Sequence, residues 1–252
     1  MDFTEKQVER YSRQMMLHDM GGTGQSRLLA ATIMLLGLGA MGSVAALYLA
    51  AAGVGRMTLV DHAPVLPTTP GRESIHTRQL IGVPKTVSAH QAICHLNPDV
   101  QVTPVTAWLA PHDPIVLPEE CHLLLDCSNQ PSITPLLDRV CRERDTPLII
   151  ARWQAQFGGV LMIDKGGPTL AHMETTLDKW REKQGYTPGA RQDILDSRSD
   201  EPPPLGSILA GLVANVAATE AIKRLVGLAP SDQTLLVFDA LTGNWEEPCV
   251  LC

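Results

Sequence analysis

Ile33-Met-Leu-Leu-Gly37-Leu-Gly39-Ala-Met-Gly42 constrains this chain more than any other segment, because an apolar run breaks at Gly-x-Gly-x-x-Gly straight into an Ala-rich stretch that ends at Gly53. The apolar run suits a buried strand, and the alanines suit a helix packed on it. Gly37 lets the strand reverse tightly, Gly39 lets backbone N–H groups come up to a phosphate, and Gly42 lets helix and strand close on each other. The helix N-terminus adds partial positive charge at the same point. Met57-Thr-Leu-Val-Asp61 then reads as a second strand ending in an acid. Asp61 stands about 20 residues past the turn, where a carboxylate would accept ribose hydroxyls. The pattern predicts a nucleotide site at Gly37, Gly39, Ala40, Met41, Gly42 and Asp61. The competing reading is that the glycines only permit tight strand–helix packing.

Strand and helix signals alternate to about residue 163. Helices are expected over 5–17, 25–30, 42–52, 84–96 and 131–144, with a loop over 21–24. Strands are expected over 33–36, 57–60, 100–106, 122–126 and 147–151. This alternation predicts an α/β, Rossmann-like fold with a mostly parallel sheet and helices on both faces. From about 165 to 205 the chain is poor in apolar residues and carries Pro202-Pro-Pro204, which reads as a long crossover loop with one short helix over 176–184. A helix over 206–226, a strand over 234–238 and a short tail complete the chain. All 252 residues read as one domain, with N-terminal helices over 1–30, the core over 31–164, the crossover loop over 165–205 and a C-terminal region over 206–252.

Apolar residues make up 44% of the chain, enough for a substantial core. A net charge of −7 with no block of Lys and Arg argues against a nucleic-acid surface. The longest apolar stretches are broken by glycines and fit buried elements better than a membrane span. The N-terminus lacks a basic segment followed by an apolar one, so no secretory signal is expected. Six irregularly spaced cysteines in a chain of this size suggest a reducing compartment, the cytoplasm.

Arg10-Tyr-Ser-Arg13-Gln, the glycine turn, Tyr48-Leu-Ala-Ala-Ala-Gly-Val-Gly55, Leu59-Val-Asp61, Gly82-Val-Pro-Lys85, Leu96-Asn-Pro98, Leu125-Asp-Cys127, Glu220-Ala-Ile-Lys223, Phe238-Asp-Ala240 and a terminal Cys-x-x-Cys follow one another in this order. The set resembles the ThiF/MoeB/HesA family, relatives of ubiquitin-activating enzymes, over the whole chain except about 165–205. The resemblance implies an ATP-dependent adenylyltransferase acting on the C-terminal glycine of a small ubiquitin-like sulfur-carrier protein ending in Gly-Gly, with Mg²⁺. It implies that Lys85 reaches the phosphates and that Arg72 is the arginine of the family's Asn-Leu-Gln-Arg motif. Arg13 matches the arginine donated across a dimer interface, which implies a homodimer or a heterodimer with a family member. Without the family, Lys85 and Arg72 read as surface charges and Arg13 as a packing or capping residue.

The chain also departs from the family pattern. Asn129 stands where the family has an acid after its Asp-Cys pair, so it offers a cation one neutral oxygen and should hold Mg²⁺ more weakly. Thr69 stands at the motif's asparagine, between Pro67 and Pro70, whose fixed angles should alter how the loop meets ATP. Ala40 replaces a glycine, a milder change. The family's structural zinc would retain Cys249 and Cys252, with His172 as a third candidate and Thr169 a poor ligand. No cysteine lies over 165–205, so a covalent thioester step is not expected. Cys94, Cys121, Cys127 and Cys141 read as small buried hydrophobes, and His62, His76 and His95 as polar surface or capping residues. The first reading is therefore an adenylyltransferase with Arg13, Arg72, Lys85 and Asn129 as its catalytic residues. The second is a degenerate partner subunit that lends Arg13 to an active relative. An NAD-linked oxidoreductase fits Gly37 to Asp61 but leaves Arg13, Lys85 and the tail unexplained.

Overall fold

Strand β1, Thr32–Leu36, is buried at every position, and its side chains alternate between two separate cores. Ile33 and Leu35 enter the larger core, while Met34 and Leu36 enter the smaller one on the opposite face. That double burial is why the strand is a continuous apolar run. The computed structural model describes residues 3–154, 157–164, 167, 206–228, 235–240 and 242–246. The helix expected over 176–184, His172, Cys249 and Cys252 lie outside the described residues.

Around β1 the sheet is built from β2 (Arg56–Asp61), β3 (Gln101–Thr106), β4 (Leu123–Asp126), β5 (Leu148–Gln154), β6 (Phe157–Ile163), β7 (Leu235–Asp239) and β8 (Asn244–Glu246) in the order β3-β2-β1-β4-β5-β6-β7-β8. The first five in this order are parallel to one another, and the pairings β5–β6, β6–β7 and β7–β8 are antiparallel. The fold is thus the expected Rossmann-like, mostly parallel α/β sheet, with three points of difference. Strand β5 continues past residue 151, and β6 pairs back against it after two intervening residues, a spacing too short for a parallel crossover. Strand β8 was not anticipated, since three residues leave little periodicity to read. The segment 21–24 is not a loop but the first turn of helix α2 (Gly21–Ala30). Its glycines are poor helix formers, so packing decides: a side chain on Gly24 would meet Met20 and Val226.

Helices α3 (Ala40–Ala52), α4 (Lys85–Leu96) and α6 (Gly206–Val226) cover the larger core, and α5 (Thr134–Arg144) covers the smaller one. Helix α1 (Glu5–Met15) opens with a capping box between Thr4 and Gln7 and docks through Tyr11, which is 1% exposed. The Tyr11 hydroxyl donates to Asp99 Oδ2 at 3.2 Å and accepts from Asn97 Nδ2 at 2.8 Å, while Asn97 also donates to the Ala50 carbonyl at 2.7 Å. Cys127 and Cys141 are buried and Cys121 is half-buried, as expected, but Cys94 is exposed on α4. No helix among the described residues is long and apolar enough to cross a membrane.

Candidate functional site

The strand order reverses between β1 and β4, and in open α/β sheets the crevice outside the carboxyl ends of such strands receives ligands. Gly37 turns the chain there with φ of +81°, and a Cβ on it would lie 2.5 Å from Ser128 Cα. A Cβ on Gly42 would lie 1.8 Å from the Gly37 carbonyl oxygen, so helix α3 sits as close to β1 as the turn demands. Gly39 meets nothing within 4 Å and caps α3 without a side chain, leaving the first N–H groups of the helix open to the crevice.

The turn is held from both sides. Leu38 N–H donates to Asp61 Oδ2 at 2.7 Å, and Ala63 N–H donates to Asp61 Oδ1 at 2.7 Å. The Leu38 carbonyl accepts from His76 Nε2 at 3.1 Å, which leaves His76 Nδ1 to accept from Ser88 Oγ at 2.9 Å. His76 is 3% exposed, so it is not the surface residue expected. It is drawn inside because the turn's carbonyl has to be paired. Burial pushes its pKa down and keeps the ring neutral. His62 and His95 are exposed, in line with expectation, and His95 Nδ1 lies 2.8 Å from the Gln91 carbonyl near the end of α4.

A cavity of about 280 Å³ lies over the turn, lined by Gly37, Gly39, Ala40, Met41, Asp61, Arg72, Lys85 and Asn129 among the expected residues. An adjoining hollow is floored by Leu36, Val60, Ala107, Leu109 and Ile133. At its rim His62 and Trp108 stack edge to face with ring centroids 4.4 Å apart. An apolar slot beside an open helix N-terminus is the layout a nucleoside phosphate needs. Gly42 lies behind the lining as a packing residue. Thr69 is 2% exposed, its Oγ1 accepting from Leu66 N–H at 2.9 Å, so it shapes the Thr69–Gly71 turn and does not line the cavity. Arg13 lies on the exposed side of α1, away from the lining.

Glu73 lines the cavity and went unnoticed in the sequence, where an acid beside Arg72 reads as a solvated charge. It is 7% exposed, with Lys85 Nζ 3.0 Å from Oε1 and 2.9 Å from Oε2. Burial raises its pKa, opposed by the charge of Lys85. Asp61 and Glu73 therefore cancel Arg72 and Lys85 across the lining. Beneath the cavity Asp126 is fully buried and paired with Arg152 Nη2 at 2.5 Å, and its Oδ1 accepts from Ser128 N–H and Oγ at 2.9 and 2.6 Å. That anchorage sets Asn129 at φ of +53°, a conformation asparagine tolerates, with its Oδ1 accepting from Trp153 N–H at 3.3 Å. Among the described residues no cluster of His, Cys, Asp or Glu could hold a metal. Asp61 and Glu73 are the carboxylates of the lining, Glu73 is paired with Lys85 and Asn129 is neutral, so the residues alone supply too few oxygens for a six-coordinate Mg²⁺.

The ThiF family matches residues 11–251 of the chain. The molybdopterin-synthase adenylyltransferase of Escherichia coli is 28% identical over 250 residues, covering 98% of this chain and 94% of that protein. The E. coli sulfur carrier protein ThiS adenylyltransferase is 30% identical over 241 residues, covering 96% and 90%. The adenylyltransferase and sulfurtransferase MOCS3 of Bos taurus is 31% identical over 245 residues, and the chain spans 50% of its length. E. coli MccB crystallised with ATP shares the fold with a TM-score of 0.74 at 17% identity, over 94% of this chain and 70% of MccB. Because the match runs nearly from end to end and includes the turn and cavity just described, this protein belongs to the ThiF family.

Proposed function

We propose that the chain uses ATP to adenylate a carboxylate, and that the carboxylate is the C-terminal glycine of a small ubiquitin-like sulfur carrier ending in Gly-Gly. The observation that carries this reading is the meeting of Arg72, Lys85 and the open N-terminus of α3 over the carboxyl ends of β1, β2 and β4. The relatives named adenylyltransferases support it. The base would enter the slot beside His62 and Trp108. Asp61, which keeps lone pairs beyond the two N–H groups it already accepts, would take a ribose hydroxyl. A carrier carboxylate oxygen would bond to the α-phosphorus while the bond to the bridging oxygen breaks and pyrophosphate leaves with the electron pair. Arg72, Lys85 and the N–H groups of α3 would stabilise the charge that builds there. Arg13, remote from its own cavity, would serve a neighbouring subunit in a homodimer or a heterodimer with a family member. The free thiols fit the cytoplasm. Zinc on His172, Cys249 and Cys252 would be found by metal analysis of the purified protein.

Two observations favour a second reading, that of a degenerate partner subunit. Asn129 is neutral and its oxygen is engaged by Trp153, while Lys85 is engaged by Glu73. Exchange of labelled pyrophosphate into ATP separates the two. Exchange with a Gly-Gly carrier and this chain alone supports the enzyme. Exchange only on adding a second family member supports the partner subunit. Calorimetry in which NAD binds and ATP does not would remove the adenylation reading.

A further inference from the structure

Glu73 Oε2 is the buried side-chain polar atom that, among the described residues, has no hydrogen-bond donor. Lys85 Nζ stands 2.9 Å from it, but the hydrogen bond goes to Oε1. The carboxylate is 7% exposed and lines the cavity; Lys85 at the start of α4 and His76 between β2 and α4 face its unsatisfied oxygen, and the charges of Asp61 at the end of β2 and of neighbouring Arg72 act on it. His76 Nε2 is 3.7 Å from Oε2 but gives its proton to the Leu38 carbonyl, so it cannot satisfy Glu73. A lysine held in this way brings no net charge to an incoming polyphosphate.

We propose that Glu73 is a latch on Lys85: phosphate oxygens compete with the Glu73 carboxylate for the ammonium group, and the carboxylate left behind takes up a proton from solvent. This rests on the nucleotide reading of the cavity. Three observations make Glu73 a competitor for Lys85. Both its oxygens lie within 3.0 Å of Lys85 Nζ, its charge is of the same sign as the ligand's, and among the described residues no other side chain donates a hydrogen bond to its Oε2. Burial, which already favours the protonated carboxyl, makes proton uptake the economical response to losing Lys85. Lys85 then contributes to phosphate binding only when Glu73 is neutralised, and nucleotide affinity falls as pH rises.

Titration calorimetry of ATP against wild type and Glu73→Gln, run at one pH in buffers of different ionisation enthalpy, tests the latch. Glu73→Gln is expected to bind ATP about tenfold more tightly, and to lack the fractional proton uptake seen with wild type. Adenosine, which carries no phosphate, is expected to bind both alike. In a Lys85→Met background the gain from Glu73→Gln is expected to vanish, which separates release of Lys85 from simple repulsion. Equal or weaker ATP binding by Glu73→Gln, or equal proton stoichiometry in the two proteins, overturns the proposal. Should Glu73→Gln not fold, absence of proton uptake by wild type overturns it on its own. If ATP binds neither folded protein, the nucleotide reading falls and the latch with it; if ATP binds both alike, only the latch falls.

Discussion

At Asp61 both carboxylate oxygens already accept backbone N–H groups at 2.7 Å, so a ribose hydroxyl would be a further donor to a group that first holds the glycine turn. Asp61→Ala is therefore expected to weaken ATP binding in calorimetry and also to lower stability by about 1–3 kcal/mol in denaturant unfolding, because it strips two N–H groups of their acceptor. His76 gives a pH dependence of definite sign. Its folded pKa is lowered by burial, so between that value and about 6.5 the unfolded chain binds more protons than the native one. Stability from this residue is present above about pH 6.5 and is lost as pH falls through the window. His18, exposed beside Asp19, has a raised pKa and opposes the trend. His76→Gln, whose amide can still donate to Leu38, should therefore flatten the acid side of a thermal-unfolding profile when compared with wild type, and an unchanged profile would exclude this role. Asn129→Asp restores an anionic oxygen at a backbone angle aspartate also tolerates. It should raise carrier-dependent pyrophosphate exchange by roughly two orders of magnitude and shift its Mg²⁺ requirement to lower concentration. A variant that gains nothing would show that the neutral Asn129 does not limit exchange.

The helices show how motif residues spread along the sequence converge on a few fastenings. Tyr11 and Asn97, which the family resemblance brings forward without a stated role, meet at one point that ties α1 to the end of α3 and to the segment that follows α4. Tyr11→Phe should cost about 1 kcal/mol, measured as a shift in denaturant midpoint. Glu220 in α6 likewise accepts from Lys223 at 2.7 Å and Arg224 at 3.0 Å, and Arg224 reaches Asp164 just after β6 at 2.8 Å. With α1 fixed in this way, Arg13 projects from its exposed side. Arg13→Ala should leave the sedimentation coefficient unchanged and reduce pyrophosphate exchange, whereas a monomeric wild type at micromolar concentration would argue against a shared site. The helices also mark where local signals mislead. Three glycines over 21–24 read as a loop because intrinsic propensity disfavours helix there, yet they form the first turn of α2, with Gly24 close against Val226 of α6 and Gly22 near Phe3.

For the whole molecule, the parallel core, the turn and most of the cavity lining were legible in the residues, since strands buried on both faces must be continuous apolar runs and a tight turn against Ser128 admits only glycine. The sequence by itself determined the Rossmann-like class, the placement of Gly37, Gly39 and Asp61 at one crevice, and the family. Local pattern suffices for these because periodicity and conformational freedom belong to neighbouring residues. Only the tertiary structure decided that β6, β7 and β8 run antiparallel, since periodicity carries no strand direction. It alone also buried Glu73 against Lys85, drew His76 in to the Leu38 carbonyl and turned Thr69 away from the cavity. The reason is physical: burial and charge pairing depend on what distant segments bring to the same point, and an acid or a histidine looks the same in the chain whether water or a lysine will face it.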